Sequence, residues 1–313
     1  MKRVIVLGGT GFFGGLIVEA LTAAGLQPVS ASRSSGQMRI DANDAESIRA
    51  NLKQRDLVID AAGPFQSRTP ALIEAARTTG FDVIDLSDSR AYTTMVYSHA
   101  APIGAAGIRV LAACSSLSSV TAIAVASSGI ENPRRVTAYL LPASRHTANP
   151  GATRSFLSGV EGSGRTIRFP KIGSRSGVRV ASVDAVTLPS VFPTLQTIEL
   201  VVDSGNFIAN ALMPSATFRQ FLDKHLDQAL KISRKLGNKE GILGYEVAAA
   251  TQRKHVIFTG AKTHMVAVIP AIEAARAIVA GRFPDRGVVP PAKHVDQKVF
   301  WDAVQREGIR VVR

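Results

Sequence analysis

The sequence predicts an α/β protein, a doubly wound parallel sheet followed by a second α+β domain. Three observations predict it. Short β-branched runs alternate with helical periodicity six times over the first 113 residues, the pattern of parallel strands linked by crossover helices. A glycine-rich turn follows the first run directly. Beyond residue 120 the alternation gives way to strands joined by loops, with occasional helices.

The first strand is Val4-Ile5-Val6-Leu7, an apolar run suited to burial on both faces. It runs into Gly9-Thr10-Gly11-Phe12-Phe13-Gly14, which fits G-x-G-x-x-G, and Gly8 adds the overlapping spacing G-x-x-G-x-x-G. After it Leu16, Ile17, Ala20, Leu21 and Ala24 keep helical spacing up to Gly25. Strand, glycine loop and helix in that order form the dinucleotide-binding unit of a Rossmann sheet. The glycines permit a tight turn, approach of backbone amides to a diphosphate and close helix packing. Gly8, Gly9, Thr10, Gly11, Phe12, Phe13 and Gly14 are therefore candidate cofactor-binding residues.

The second strand, Pro28 to Ser32, ends in Arg33-Ser34-Ser35. NAD-selective units place a carboxylate there for the ribose hydroxyls; a guanidinium with hydroxyls suits a 2′-phosphate instead. NADP(H) is the expected cofactor, with Ser32, Arg33 and Ser34 around its phosphate. Arg39-Ile40-Asp41 forms a third strand, with Asp41 at its end as a further cofactor contact, and Asp44 caps a helix running to Leu52. Asp56 to Ala62 is the fourth strand; Ala62, Gly63 and Pro64 turn beside the nucleotide crevice, followed by Phe65. Thr69-Pro70 starts a helix that stops at Gly80. Asp82 to Leu86 is the fifth strand, ending in Ser87-Asp88; a helix then leads to Gly107, and Ile108 to Ala113 is the sixth.

The second half holds strands at Val136–Leu141, Thr166–Phe169, Val178–Ala181, Ile198–Val202 and Val256–Thr259. A helix starts at Asn149-Pro150. Another spans Ala216 to Leu236, its apolar face formed by Phe218, Phe221, Leu222, Leu226, Leu230 and Ile232 and its outer face basic. Ala267 to Ala280 is a helix that returns to the first domain. The expected division is 1–120 for the nucleotide domain, 121–281 for a substrate and dimerisation domain, and a return of 282–313 to the first.

Composition narrows the function classes. A hydrophobic fraction of 46% with 19% charged residues describes a soluble globular chain. The net charge of +13 is spread through the chain, without basic blocks or interleaved aromatics. It suits anionic small molecules and argues against a nucleic-acid surface. The single cysteine, Cys114, excludes an internal disulfide and a cysteine-rich zinc site, and the histidines are too scattered for a metal. The N-terminus opens straight into a strand, and no signal peptide is expected. The two apolar stretches are interrupted, Val110–Ala126 by serines and Met265–Ala280 by Glu273 and Arg276. A cytoplasmic location without membrane insertion is expected.

The run from the glycine loop through Asp56-Leu57-Val58-Ile59-Asp60-Ala61-Ala62-Gly63-Pro64-Phe65, then Val83-Ile84-Asp85-Leu86-Ser87-Asp88, then Gly107-Ile108-Arg109-Val110-Leu111, resembles the saccharopine dehydrogenase/reductase-like family. The C-terminal stretch, Gly281 through Pro291 and Phe300 to Ile309, is similar more loosely. The resemblance implies an NADP-binding Rossmann domain, an inserted α+β domain and oxidoreduction at a C–N centre of an amino-acid-like substrate. Saccharopine-forming members carry a glycine, aspartate and proline pattern after the sixth strand, where this chain has Cys114 to Ser119.

Ligands of doubly wound sheets lie outside the carboxyl ends of the strands. Phe65, Asp88 and Ser116 are candidates there, Phe65 along the nicotinamide and Asp88 for a proton or a substrate amine. A substrate carboxylate needs a basic clamp. Arg145, Thr153 and Arg154 follow the first strand of the second domain, with Arg154 favoured by the helix start near it and His146 the candidate acid/base. Tyr-x-x-x-Lys does not occur: Tyr92, Tyr97, Tyr139 and Tyr245 are followed at that spacing by Val96, Ala101, Ala143 and Ala249. Two alternatives stand beside the oxidoreductase: a non-catalytic NADP-binding sensor, and a semialdehyde dehydrogenase-like enzyme with Cys114 as nucleophile. A homodimer is the expected assembly.

Overall fold

The computed structural model describes residues 2–313, which divide into two compact units. Among them unit 1 is the chain up to Ser119 with Val268–Phe300, and unit 2 is Val120–Ala267 with Trp301–Arg313. The return to unit 1 thus begins at Val268, ahead of the expected 282, and the last residues, expected to return with it, belong to unit 2.

Six strands open unit 1: β1 (Val4–Leu7), β2 (Val29–Ser32), β3 (Met38–Arg39), β4 (Leu57–Asp60), β5 (Asp82–Asp85) and β6 (Arg109–Leu111). Unit 2 contributes β7 (Arg135–Leu141), β8 (Val160–Phe169), β9 (Gly173–Val180), β10 (Thr197–Val202), β11 (Gly241–Ala248) and β12 (Arg253–Gly260). The returning segment adds β13 (Gly287–Val288) to the first sheet, and β14 (Arg310–Val312) closes the second.

The first sheet is parallel throughout, in the order β3-β2-β1-β4-β5-β6-β13. This is the Rossmann order with one strand added, and its topological switch point lies between β1 and β4. β1, β4 and β5 are buried along their whole length, as strands covered on both faces must be. The helix Phe12–Ala23 buries Gly14, Ile17 and Leu21, one stripe at spacings of three and four. Gly25 ends it at φ +80°, with the Leu26 N–H returning to Leu21 O at 3.0 Å.

Besides β11, β13 and β14, which the sequence reading did not include, three stretches differ from it. The helix expected to lead into Gly107 is two, Arg90–Ser98 and Ala100–Ala105. Pro102 lacks the N–H that an unbroken helix would give to the Ser98 carbonyl. The long helix expected over 216–236 is also two, Ala216–Lys224 and Leu226–Leu236, meeting at His225; Leu226 and Leu230 are buried while Phe221 and Ile232 face outward. The break leaves no single apolar stripe. β8 and β9 reach further than expected, because their glycine-, serine- and arginine-rich halves pair through backbone bonds and carry no apolar alternation.

The second sheet is mixed, in the order β14-β12-β11-β7-β10-β9-β8, with β7 and β10 parallel and every other pair antiparallel. Side chains alternate between two layers. Tyr139 and Leu141 join Ile167, Phe169, Val201 and Ile257 in one, and Val136 joins Ala122, Val125, Leu188 and Val247 in the other. Among the described residues no helix is long and apolar enough to cross a membrane.

Candidate functional site

The carboxyl end of β1 enters a turn fixed by its own backbone. The Gly8 N–H donates to Ala31 O at 2.8 Å, and the Gly11 N–H to Gly8 O at 2.8 Å. Gly8 lies at φ +73°, a conformation that suits glycine. A Cβ on Gly14 would stand 2.1 Å from Gly8 O, so the following helix can press onto the loop only because Gly14 has none. The helix begins after Gly11 with no side-chain cap, leaving its positive end to serve an anion. Phe12 and Phe13 are half-buried and meet edge to face at 5.0 Å between centroids. These residues fit the diphosphate of a dinucleotide.

The loop after β2 is joined to this one. Thr10 Oγ1 lies 3.1 Å from Ser35 Oγ, and Ser32 Oγ accepts the Ser35 N–H at 3.0 Å while donating to Ser35 O at 2.6 Å. Arg33 and Ser34 stand exposed on the resulting turn. Asp41 is half-buried just past β3, which occupies Met38–Arg39, and its Oδ1 caps the Asn43 N–H at 2.9 Å.

Across the switch point, β4 ends in Asp60 and the turn Ala61 to Pro64, with a cis Gly63–Pro64 peptide. Gly63 and Pro64 are exposed and Ala62 is half-buried. Phe65 is 5% exposed, sits 5.6 Å from Tyr92 between centroids, and packs in the core of unit 1.

At the end of β5, Asp85 is wholly buried, its Oδ1 accepting the N–H groups of Ser87 (3.0 Å) and Ala113 (2.8 Å). Burial pushes its carboxyl up to about 7 against the pull of those hydrogen bonds. Asp88 is exposed and accepts from Gln66 Nε2 at 3.3 Å. The next helix is capped by Ser89, whose hydroxyl accepts the Tyr92 N–H.

Past β6, Ser116 is half-buried and Cys114 is fully buried. Burial drives the Cys114 thiol far above its ordinary range, although a hydrogen bond with Ser119 pulls the other way. Burial and a raised thiol both disfavour the thiolate that a cysteine nucleophile needs. Ser119 in turn donates to His294 Nδ1 at 2.7 Å, while His294 Nε2–H donates to Val289 O at 2.9 Å.

The remaining candidates belong to unit 2. Arg145 is half-buried, its Nε donating to Gly237 O at 2.8 Å. His146 is exposed on the short helix Ser144–Thr147. The helix Pro150–Gly159 is capped by the Asn149 side chain on Ala152 N–H, so its start is already satisfied. Thr153 is half-buried in its first turn, and the exposed Arg154 pairs with Asp223 at 3.2 Å.

Sequence reasoning missed one buried polar group. Arg68 pairs with Asp60 at 2.9 Å, with side chains 5% and 0% exposed. A basic residue eight positions after a strand-end aspartate, in a segment otherwise without charge, was the signal for it.

Residues 4–111 match the family described as the saccharopine dehydrogenase NADP binding domain. No curated protein matches the chain. Among solved structures, the protein lin1944 from Listeria innocua is 15% identical, with 36% of this chain and 76% of that chain covered and a TM-score of 0.27. UDP-N-acetylglucosamine 4-epimerase from Bacillus cereus is 18% identical at a TM-score of 0.30, with 36% of this chain covered; this chain spans 59% of its length. The WlbA (WbpB) dehydrogenase from Thermus thermophilus, in complex with NAD and UDP-GlcNAcA, is 12% identical, with 98% and 95% covered and a TM-score of 0.41.

Proposed function

We propose, on the match of residues 4–111 to the saccharopine dehydrogenase NADP binding domain, that the protein is an NADP(H)-dependent oxidoreductase acting at a C–N centre, an imine or secondary amine, of an amino-acid-like substrate. The carrying observation is the joined pair of loops, with the glycine cradle at Gly8–Gly14 tied through Thr10 and Ser35 to the turn that presents Arg33. Bound NADP(H) supplies or accepts the hydride. The chain's own residues do the rest. Main-chain N–H groups at the helix start hold the diphosphate, and Arg33 pairs with the 2′-phosphate.

Asp88 and His146 are the proposed proton-handling groups, since both side chains reach solvent. Arg145, Thr153 and Arg154 are the proposed clamp for a substrate carboxylate. Mixing the protein with NADPH and a panel of keto acids and amines, and following the loss of NADPH absorbance, tests the reading. Turnover with one pair supports it, and tight NADPH binding with no turnover across the panel defeats it. That second outcome is the expectation of the sensor reading, which is favoured by the engagement of Arg145 with Gly237 and of Arg154 with Asp223.

We also propose a homodimer. Phe207, Ile208, Leu212, Phe221, Ile232 and Leu236 are large apolar side chains exposed on three successive helices of unit 2, and exposed apolar surface of that kind suits an interface.

A further inference from the structure

The turn after β4 is held from both sides by one buried ion pair. Asp60 Oδ1 accepts the Ala62 N–H at 3.0 Å, and Arg68 Nη2 donates to Ala62 O at 2.5 Å and to the same Asp60 oxygen at 2.9 Å. Both backbone polar groups of Ala62 are thereby fixed. The guanidinium also lies 5.2 Å from the centroid of Phe65, whose ring is locked against Tyr92. The clamp acts over an unusually short distance to the phosphate loop. A Cβ on Gly8 would stand 2.8 Å from both Ala61 O and Ala62 Cα, so the Ala61–Ala62 backbone lies directly against Gly8.

A buried ion pair is a poor stabiliser. Desolvating both charges offsets most of their attraction, and an apolar pair of similar volume commonly serves stability as well or better. What the pair supplies here is position. Without the Arg68 donor, the Ala62 carbonyl loses its fixed direction, and a shift of the turn is transmitted to the glycine loop by contact at Gly8.

We propose that Arg68 is a positioning residue for the cofactor site, holding the turn Ala61–Pro64 against the Gly8–Gly11 loop so that the loop keeps the shape a diphosphate needs. The proposal rests on the NADP reading above. Two variants test it on the full chain. The double variant Asp60→Asn/Arg68→Met removes both charges at nearly constant volume, so no uncompensated carboxylate threatens the fold. Arg68→Lys keeps a charged donor within reach of the turn.

Two readouts are taken. By calorimetric titration, the double variant is expected to bind NADPH at least tenfold more weakly than the native chain, and Arg68→Lys to recover most of that loss. By amide hydrogen exchange without nucleotide, segments Gly8–Gly11 and Ala61–Phe65 are expected to exchange faster in the double variant, with β6 and the strands of unit 2 unchanged. Native NADPH affinity and native exchange in the double variant would overturn the proposal, as would faster exchange spread evenly through unit 1. If the native chain itself binds no NADPH, the cofactor reading fails separately, and the exchange data still decide whether Arg68 governs the loop.

Discussion

Arg33 is the exposed side chain proposed to set cofactor choice. A hydrogen bond to a charged group is worth about 1.5–3 kcal/mol, so Arg33→Ala should weaken NADPH roughly ten- to a hundredfold and leave NADH nearly unchanged. Parallel titrations with the two nucleotides check this, and equal losses would remove the 2′-phosphate role. Asp85 and His294 give a pH signature of opposite signs. The native state holds a proton on Asp85 up to about pH 7, well above an unfolded aspartate, so this group's contribution is full below pH 4 and is lost as pH rises toward 7. Burial lowers His294 to about 4, so the unfolded chain binds the proton first and stability falls as pH drops from 6.5 to 4. Each acts with a slope of about 1.4 kcal/mol per pH unit, and between pH 4 and 6.5 they oppose each other. Asp85→Asn should expose the histidine alone, giving urea midpoints that rise with pH over that range where the native protein is nearly flat. The place of Arg33 on the turn after β2 was legible because the strand–loop unit fixes it. The burial of Asp85 and Phe65 was not, since the same letters at strand ends serve solvent and core equally well.

Among elements, the glycine loop is the most sharply specified by its own residues. Gly14→Ala places a methyl group where Gly8 O already stands. The helix must retreat, at a cost of about 1–3 kcal/mol by the usual scale for overpacking, and NADPH affinity should fall at least tenfold. Thermal unfolding and nucleotide titration of the same variant check both. β1, β4 and β5 could be read directly because wholly buried parallel strands leave β-branched runs. The two helix breaks were hidden for different reasons. At Pro102 the signal was present but lay inside an otherwise helical pattern, and at His225 the residues on each side are good helix formers, so only tertiary burial of Leu226 and Leu230 decides the break. The β8–β9 hairpin left little trace, since backbone pairing of Gly-, Ser- and Arg-rich segments has no hydrophobic period.

At the scale of the whole molecule, topology was the most legible property. Six strand–helix alternations imply a right-handed, doubly wound sheet almost uniquely. Assembly belongs to this scale too. If the exposed apolar side chains of 207–236 form the dimer contact, replacing Phe207 and Leu236 by serine should yield a monomer by sedimentation velocity, with each unit still folded by circular dichroism. The return of Val268–Phe300 to unit 1 has a further consequence for how the chain is made. β13 covers the outer edge of β6, and the Arg109 guanidinium reaches Phe283 O from the same returning segment. A chain emerging from the ribosome therefore completes its first six strands long before their seventh neighbour has been synthesised. Throughout the making of 120–267 the rim of β6 stands open to stray pairing, and the nascent protein is most vulnerable to aggregation in that interval.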